Sequence, residues 1–254
     1  AASNRFVWGV RSASDDSQTH VSMMDATDFD RLRDRIVQFC QTIPDSVRVV
    51  AVTKQASVEE MRVAYAVGVR DFGENRIQDA EIKQAQLSDL PDITWHLIGH
   101  LQANKAKKAL EQFQWIHSID SLKLLQRLNQ LAADRPQKPQ ICLQVKLLPD
   151  PNKFGWTEPE LWADLPQLGN CEHLQIRGLM TIAPLGLSTT ETFDLFVRTR
   201  KLAVKIQQQN LEGLHPDQLS MGMSEDYSLA IQAGATMIRP GRILFRDFEV
   251  KSSK

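Results

Sequence analysis

Lys54 closes the apolar run VRVVAVTK, Val47 to Lys54. An ε-amine at such a place is a nucleophile toward carbonyl groups once unprotonated, and partial desolvation at a cavity mouth favours the neutral form. A second stretch, LSMGMSEDYSLAIQAGATMIRPGR (Leu219 to Arg242), carries different chemistry. A strand enters the turn SMGMS (Ser220 to Ser224), a helix opens with free backbone N–H groups, and the next strand ends in Arg239-Pro240-Gly241. Glycine there admits a ligand close to the backbone, and the combination reads as a phosphate cradle. The simpler reading is that Ser224 caps its helix, Glu225 and Asp226 complement the dipole, and Gly222 and Gly241 serve turns.

Other chemistries find less support. Ser, His and Asp occur together only in HSID (His117 to Asp120), adjacent in sequence and unsuited to a relay among themselves. His96 and His100 share one side of a strand, but four strand residues span roughly 13 Å, too far for two ligands of one ion. Cys40, Cys142 and Cys171 are odd in number and lack a CxxC pattern, which suggests apolar fillers rather than disulfides or zinc ligands.

The elements that must position Lys54 and the cradle alternate regularly. VRVVAVTK precedes SVEEMRVAYAVG, in which Ser57 and Glu60 form a capping box and Gly68 a stop. The pattern recurs: VRDFGEN with a helix from Arg76, ITWHLIGH with a helix from Asn104, WIHSID with SLKLLQRLNQLAA, and QICLQVKLL with a helix over Glu158 to Leu168. IRGLMTIAP precedes TETFDLFVRTRKLAVKIQQQN, QLSMG precedes SEDYSLAIQAG, and ATMIRPGRILF is the last strand. Eight strands apolar on both faces, joined by helices, predict a single (β/α)8 TIM barrel, with an extra helix over Thr27 to Gln41. Residues 1–26 read as a flexible leader or an expression-derived segment, and 27–254 as the barrel domain.

At 254 residues the chain supports one such core, and 30 basic against 31 acidic side chains give no electrostatic case for nucleic acid or an anionic membrane. No apolar run approaches the roughly 20 residues of a span, so a cytoplasmic protein without membrane contact is expected. The carboxyl ends of the strands then define the candidate residues: Lys54, Glu74, Asn75, His100, Asp120, Lys146, Thr181, Ser220 and Arg239. A lysine facing a phosphate cradle suits a ligand bearing an aldehyde and a phosphate, and pyridoxal phosphate (PLP) is the leading candidate. Arg239 would face its pyridine nitrogen and, being only a donor, keep it unprotonated. On that reading Arg239→Glu protonates the ring nitrogen with the fold intact.

The ordered set AVTK, FGENRIQDA, WHLIGHLQANKAK, HSIDS, NKFGW, GLMTIAP and LSMGMSEDYSLAI, spread from Thr27 to Phe245, resembles the YggS/PROSC family of pyridoxal phosphate homeostasis proteins. The resemblance implies a fold-type III barrel like the amino-terminal domain of alanine racemase, with Lys54 as the Schiff-base lysine. It further implies that Asn75, Ser220, Ser224, Arg239 and Gly241 line the cofactor, with Gly241 and Arg242 offering backbone N–H groups to its phosphate. Arg242 and Arg246 stand where family members usually carry Ser or Thr and Gly. The implied role is PLP homeostasis by a monomer that holds the cofactor, serves PLP-dependent apo-enzymes, and has no firmly expected catalysis. The second domain and catalytic tyrosine of alanine racemase are not expected here; Tyr65 and Tyr227 read as helical core. Alternatives are a small racemase-like PLP enzyme using His100 or Lys146, a Schiff-base aldolase without cofactor, and a basic-patch binder through Lys105, Lys107 and Lys108.

Overall fold

The first strand closes the sheet on itself. In the computed structural model, which describes residues 26–246, it is split at Val50 into β1 (Arg48–Val49) and β2 (Ala51–Val52). β1 pairs in parallel with β9 (Met237–Ile238), and β2 with β3 (Asp71–Glu74). The seam is held by N–H donation from Val50 to the Ile238 carbonyl (2.9 Å), Val52 to Pro240 (2.8 Å) and Thr53 to Gly73 (2.9 Å). Between β3 and β9 the order runs through β4 (Thr94–Leu97), β5 (Trp115–Ile119), β6 (Gln140–Gln144), β7 (Gln175–Met180) and β8 (Leu214–Ser220), all parallel. Counting β1 and β2 as one, this is the expected (β/α)8 barrel. The expected leader lies outside the described residues except for Ala26, which starts α1.

The helices are α1 (Ala26–Gln41), α2 (Val58–Ala66), α3 (Ile77–Gln86), α4 (Ala106–Gln112), α5 (Leu122–Ala132), α6 (Glu158–Leu168), α7 (Thr189–Gln207), α8 (Tyr227–Gln232) and α9 (Arg242–Phe245). Capping boxes at Ser57/Glu60, Thr157/Glu160 and Ser188/Glu191 fix where α2, α6 and α7 begin. Two expectations shift. The helix after β8 starts at Tyr227, not Ser224, because the Met223 carbonyl takes the N–H groups of Asp226 and Tyr227. The last strand is only Met237–Ile238: Pro240 has no N–H with which to continue the ladder, and Arg242–Phe245 turn into α9.

Most buried aliphatic side chains lie between strands and helices, in one continuous cluster that includes Ile116, Ile141, Leu143, Leu179 and Ile238. Alternation along the strands sends their neighbours inward. There a separate small cluster of Trp115, Cys142, Met180 and Met237 surrounds fully buried His96, His117 and Ser220. Most barrels of this kind fill the interior with branched aliphatic layers. A polar line down the axis is the feature of this one that the apolar periodicity concealed. Burial pushes the Cys142 thiol up to about 12, while Cys171 is buried and Cys40 half-buried, all three free. No helix among the described residues is long and apolar enough to cross a membrane.

Candidate functional site at the barrel mouth

Parallel strands bring their carboxyl ends to one face, and Lys54, Asn75, Ser220 and Arg239 all sit at that end of their strands. Thr53, just past β2, is fully buried; Lys54 follows it on an exposed turn, with no ion pair or hydrogen bond among the described residues. What is fixed is the backbone beneath it. Thr53 Oγ1 donates to Glu74 Oε1 at 2.6 Å, and Lys83 Nζ, reaching in from α3, donates to the same oxygen at 2.7 Å and to the Thr53 carbonyl. Glu74, a strand-end candidate, is thus a buried anchor for the Lys54 turn, and Lys83 is a participant that its helical setting hid from the sequence.

The turn is assembled differently from the capping reading of its sequence. The Ser224 hydroxyl does not cap α8; it accepts from the N–H groups of Gly241 (3.1 Å) and Ile243 (3.2 Å). SMGMS and RPGR are therefore tied together, and the Ser224 oxygen occupies donors that an anionic oxygen would otherwise take. Gly222 has φ +94°, and a Cβ there would lie 2.6 Å from the Ala230 Cβ. The side chains of Arg242 and Arg246 turn away to Glu225 (2.5 Å) and Gln55. Ser224→Ala is expected to leave two backbone donors unpaired and lower stability by about 1–3 kcal/mol, read from the urea midpoint.

Arg239 is only 3% exposed. Its Nη1 donates to Ser220 Oγ at 2.6 Å and its Nη2 to the Thr181 carbonyl at 2.9 Å, both neutral acceptors. No carboxylate among the described residues forms an ion pair with it, and burial pulls the guanidinium down to about 10. Ser220, expected to line the cofactor, lies 2.7 Å from His117 Nδ1, across the barrel from β5. HSID is thus no relay within itself, yet barrel closure joins its histidine to a serine 103 residues away. His117 Nε2 is 2.9 Å from His96 Nδ1, and His96 Nε2 is 2.8 Å from Asp71 Oδ1.

The remaining candidates are engaged elsewhere. His100 Nδ1 is 3.1 Å from Asp120 Oδ2, and its ring stacks on Phe154 at 3.8 Å. Lys146 donates to the Lys153 carbonyl at 3.3 Å. Tyr65 bonds to Asp92 on the outer layer, and Tyr227 meets Phe39 of α1 at 5.0 Å, so neither tyrosine faces the mouth. Asn75 is half-buried at the end of β3, and its carbonyl would lie 2.1 Å from a Cβ at Gly99. Lys108 of the basic segment pairs with Glu81. No metal-ligand cluster occurs among the described residues.

Burial holds both central imidazoles below their ordinary range, His117 well below. A depressed folded-state value means that the unfolded chain binds protons first as pH falls. Stability contributed by neutral His96 and His117 is thus present above pH ~6.5 and lost below it, by up to about 1.4 kcal/mol per histidine per pH unit. Urea midpoints measured from pH 7.5 to 5.5 are expected to fall, and His117→Phe is expected to flatten the slope.

Residues 27–247 match the family model described as the alanine racemase N-terminal domain, which places this barrel and its mouth in that structural class. A protein of Synechocystis sp. named pyridoxal phosphate homeostasis protein is 52% identical over 206 residues, 81% of this chain and 94% of that one. Two structures of PipY from Synechococcus elongatus, without PLP and with PLP bound, match with TM-scores of 0.81 and 0.80 at 52% and 51% identity. Each match covers 84% of this chain and 99% of PipY. The chain belongs to the family of pyridoxal phosphate homeostasis proteins.

Proposed function

We propose that this protein binds PLP at the barrel mouth, holds it reversibly through Lys54, and passes it to PLP-dependent apo-enzymes, acting as a cytoplasmic monomer without amino-acid turnover. The observation that carries the reading is Arg239: a buried guanidinium donating only to Ser220 Oγ and the Thr181 carbonyl fits an acceptor ring nitrogen. Membership of a family in which the Synechococcus elongatus relative has been solved with PLP supports it. Bound there, PLP supplies an aldehyde that condenses reversibly with an amine. Lys54, exposed and without a partner among the described residues, presents that amine from a turn anchored through Thr53 and Glu74. The N–H groups of Gly241 and Arg242 would hold the phosphate, with Ser224 giving up the Gly241 donor and contributing its hydroxyl. Asn75 lines the side of the ring from the end of β3.

A racemase-like enzyme would need a second base opposite Lys54. His100 lies against Asp120 and Lys146 against the Lys153 carbonyl, and no observation places either opposite Lys54. The test is to incubate PLP-loaded protein with L-alanine or D-alanine, and separately with a PLP-dependent apo-enzyme. Turnover no faster than with free PLP, together with reactivation of the apo-enzyme, is expected. Enantiomer exchange abolished by Lys54→Ala would contradict the proposal, and a colourless protein that binds no PLP would favour the aldolase reading.

A further inference from the structure

A line of buried polar groups runs the length of the barrel interior and plays no part in the attachment chemistry. It begins among the amino ends of the strands, where Asp71, first residue of β3, is 21% exposed and 3.5 Å from Arg48 Nη1, whose guanidinium lies over the Trp115 ring. It continues through His96, stacked on Trp115, then through His117 and Ser220, and ends at Arg239 among the carboxyl ends.

Both ends of the line impose a direction. A carboxylate only accepts, so His96 Nε2 carries the hydrogen toward Asp71 and, in a neutral ring, Nδ1 must accept. His117 Nε2 then donates to it, and His117 Nδ1 in turn must accept, which makes the Ser220 hydroxyl the donor. From the other end, guanidinium only donates, so the Ser220 oxygen receives Arg239 Nη1–H through a lone pair and has its own hydrogen free for His117. Every contact along the line thus has one donor and one acceptor, consistent from Asp71 to Arg239. The arrangement requires both rings neutral. Full burial favours that state, as does the positive charge of Arg239 and Arg48, while the Asp71 carboxylate opposes it at His96.

We propose that His117 and His96 are positioning residues for Arg239, acting through Ser220 as a one-way hydrogen-bond relay anchored on Asp71. The relay commits the Ser220 hydrogen to His117 and presents only lone pairs to Arg239. The guanidinium is thereby held by neutral acceptors on one side, in no ion pair among the described residues, and keeps its remaining donors for a ligand at the mouth. A carboxylate in the place of Ser220 would pin Arg239 equally well but would satisfy its charge. Ser220 is not a serine nucleophile in this scheme: it is fully buried and its oxygen is already bonded to a cation.

The decisive measurement needs no cofactor. In protein labelled with 15N-histidine, at pH 7.5 and without PLP, His96 and His117 are expected to give the resonances of neutral rings protonated at Nε2, with Nδ1 accepting. An Nδ1-protonated or doubly protonated ring at either position would overturn the relay. A second arm rests on the function proposed above. Ser220→Ala in folded protein is expected to shift the His117 Nδ1 resonance and to weaken PLP binding roughly tenfold in equilibrium dialysis. An unmoved Nδ1 resonance, or wild-type PLP retention in Ser220→Ala, would also overturn it. Failure of wild-type protein to bind PLP would refute the proposed function alone, since the tautomers are read independently.

Discussion

Arg239→Met is expected to weaken PLP retention by roughly 10- to 150-fold, the equivalent of one charge-assisted hydrogen bond worth about 1.5–3 kcal/mol. Met fills much of the same volume without a donor. The substitution also leaves the Ser220 oxygen and the Thr181 carbonyl without their partner, and each lies in fully buried surroundings. Stability is expected to drop by about 1–3 kcal/mol for each group left unsatisfied. Equilibrium dialysis separates the two effects, because the loss of binding persists at temperatures where circular dichroism shows the variant folded. Arg239→Glu is not the fold-neutral exchange that the sequence suggests. Its carboxylate would be aimed at the Thr181 carbonyl and the Ser220 lone pairs, acceptor against acceptor in a buried place. Retention of PLP by folded Arg239→Met at the wild-type level would remove Arg239 from the site.

Lys54→Ala is expected to abolish covalent attachment of PLP while leaving the fold and part of the affinity. The side chain is exposed and touches no partner among the described residues, so its removal costs less than about 0.5 kcal/mol. Anchoring then depends on Arg239 and on the backbone donors gathered by Ser224. The visible band of the loaded protein should disappear and the spectrum revert to that of free PLP. A fraction of the cofactor should still be retained in dialysis. Complete loss of PLP from Lys54→Ala would mean that the cradle contributes no affinity of its own, and the phosphate would then have to be placed elsewhere on the rim.

The parts of the molecule that follow from local chemistry were legible. Capping boxes announced α2, with Ser57 and Glu60 as read, and strand and helix alternation announced the barrel. The strand-end positions of Lys54 and Arg239 were legible because each is a charged residue ending an apolar run. The polar axis was not. His96 and His117 each sit in a strand pattern that their apolar neighbours satisfy, and nothing local reveals that barrel closure joins β5 to β8 across the interior. Lys83 was hidden for a related reason: on α3 it reads as a solvated helix position, yet its reach carries it inward to Glu74. The capping role read for Ser224 does not hold, because its partners, the N–H groups of Gly241 and Ile243, come from the turn after the next strand.

Borohydride reduction of the PLP-loaded wild-type protein, followed by peptide mapping of the reduced adduct, tests attachment at Lys54 most directly. Pyridoxyl is predicted on Lys54, with one equivalent per chain and no adduct elsewhere in folded protein. Trapping chiefly at Lys83, Lys146 or Lys153, or no trapping at all in a protein that retains PLP, would contradict it.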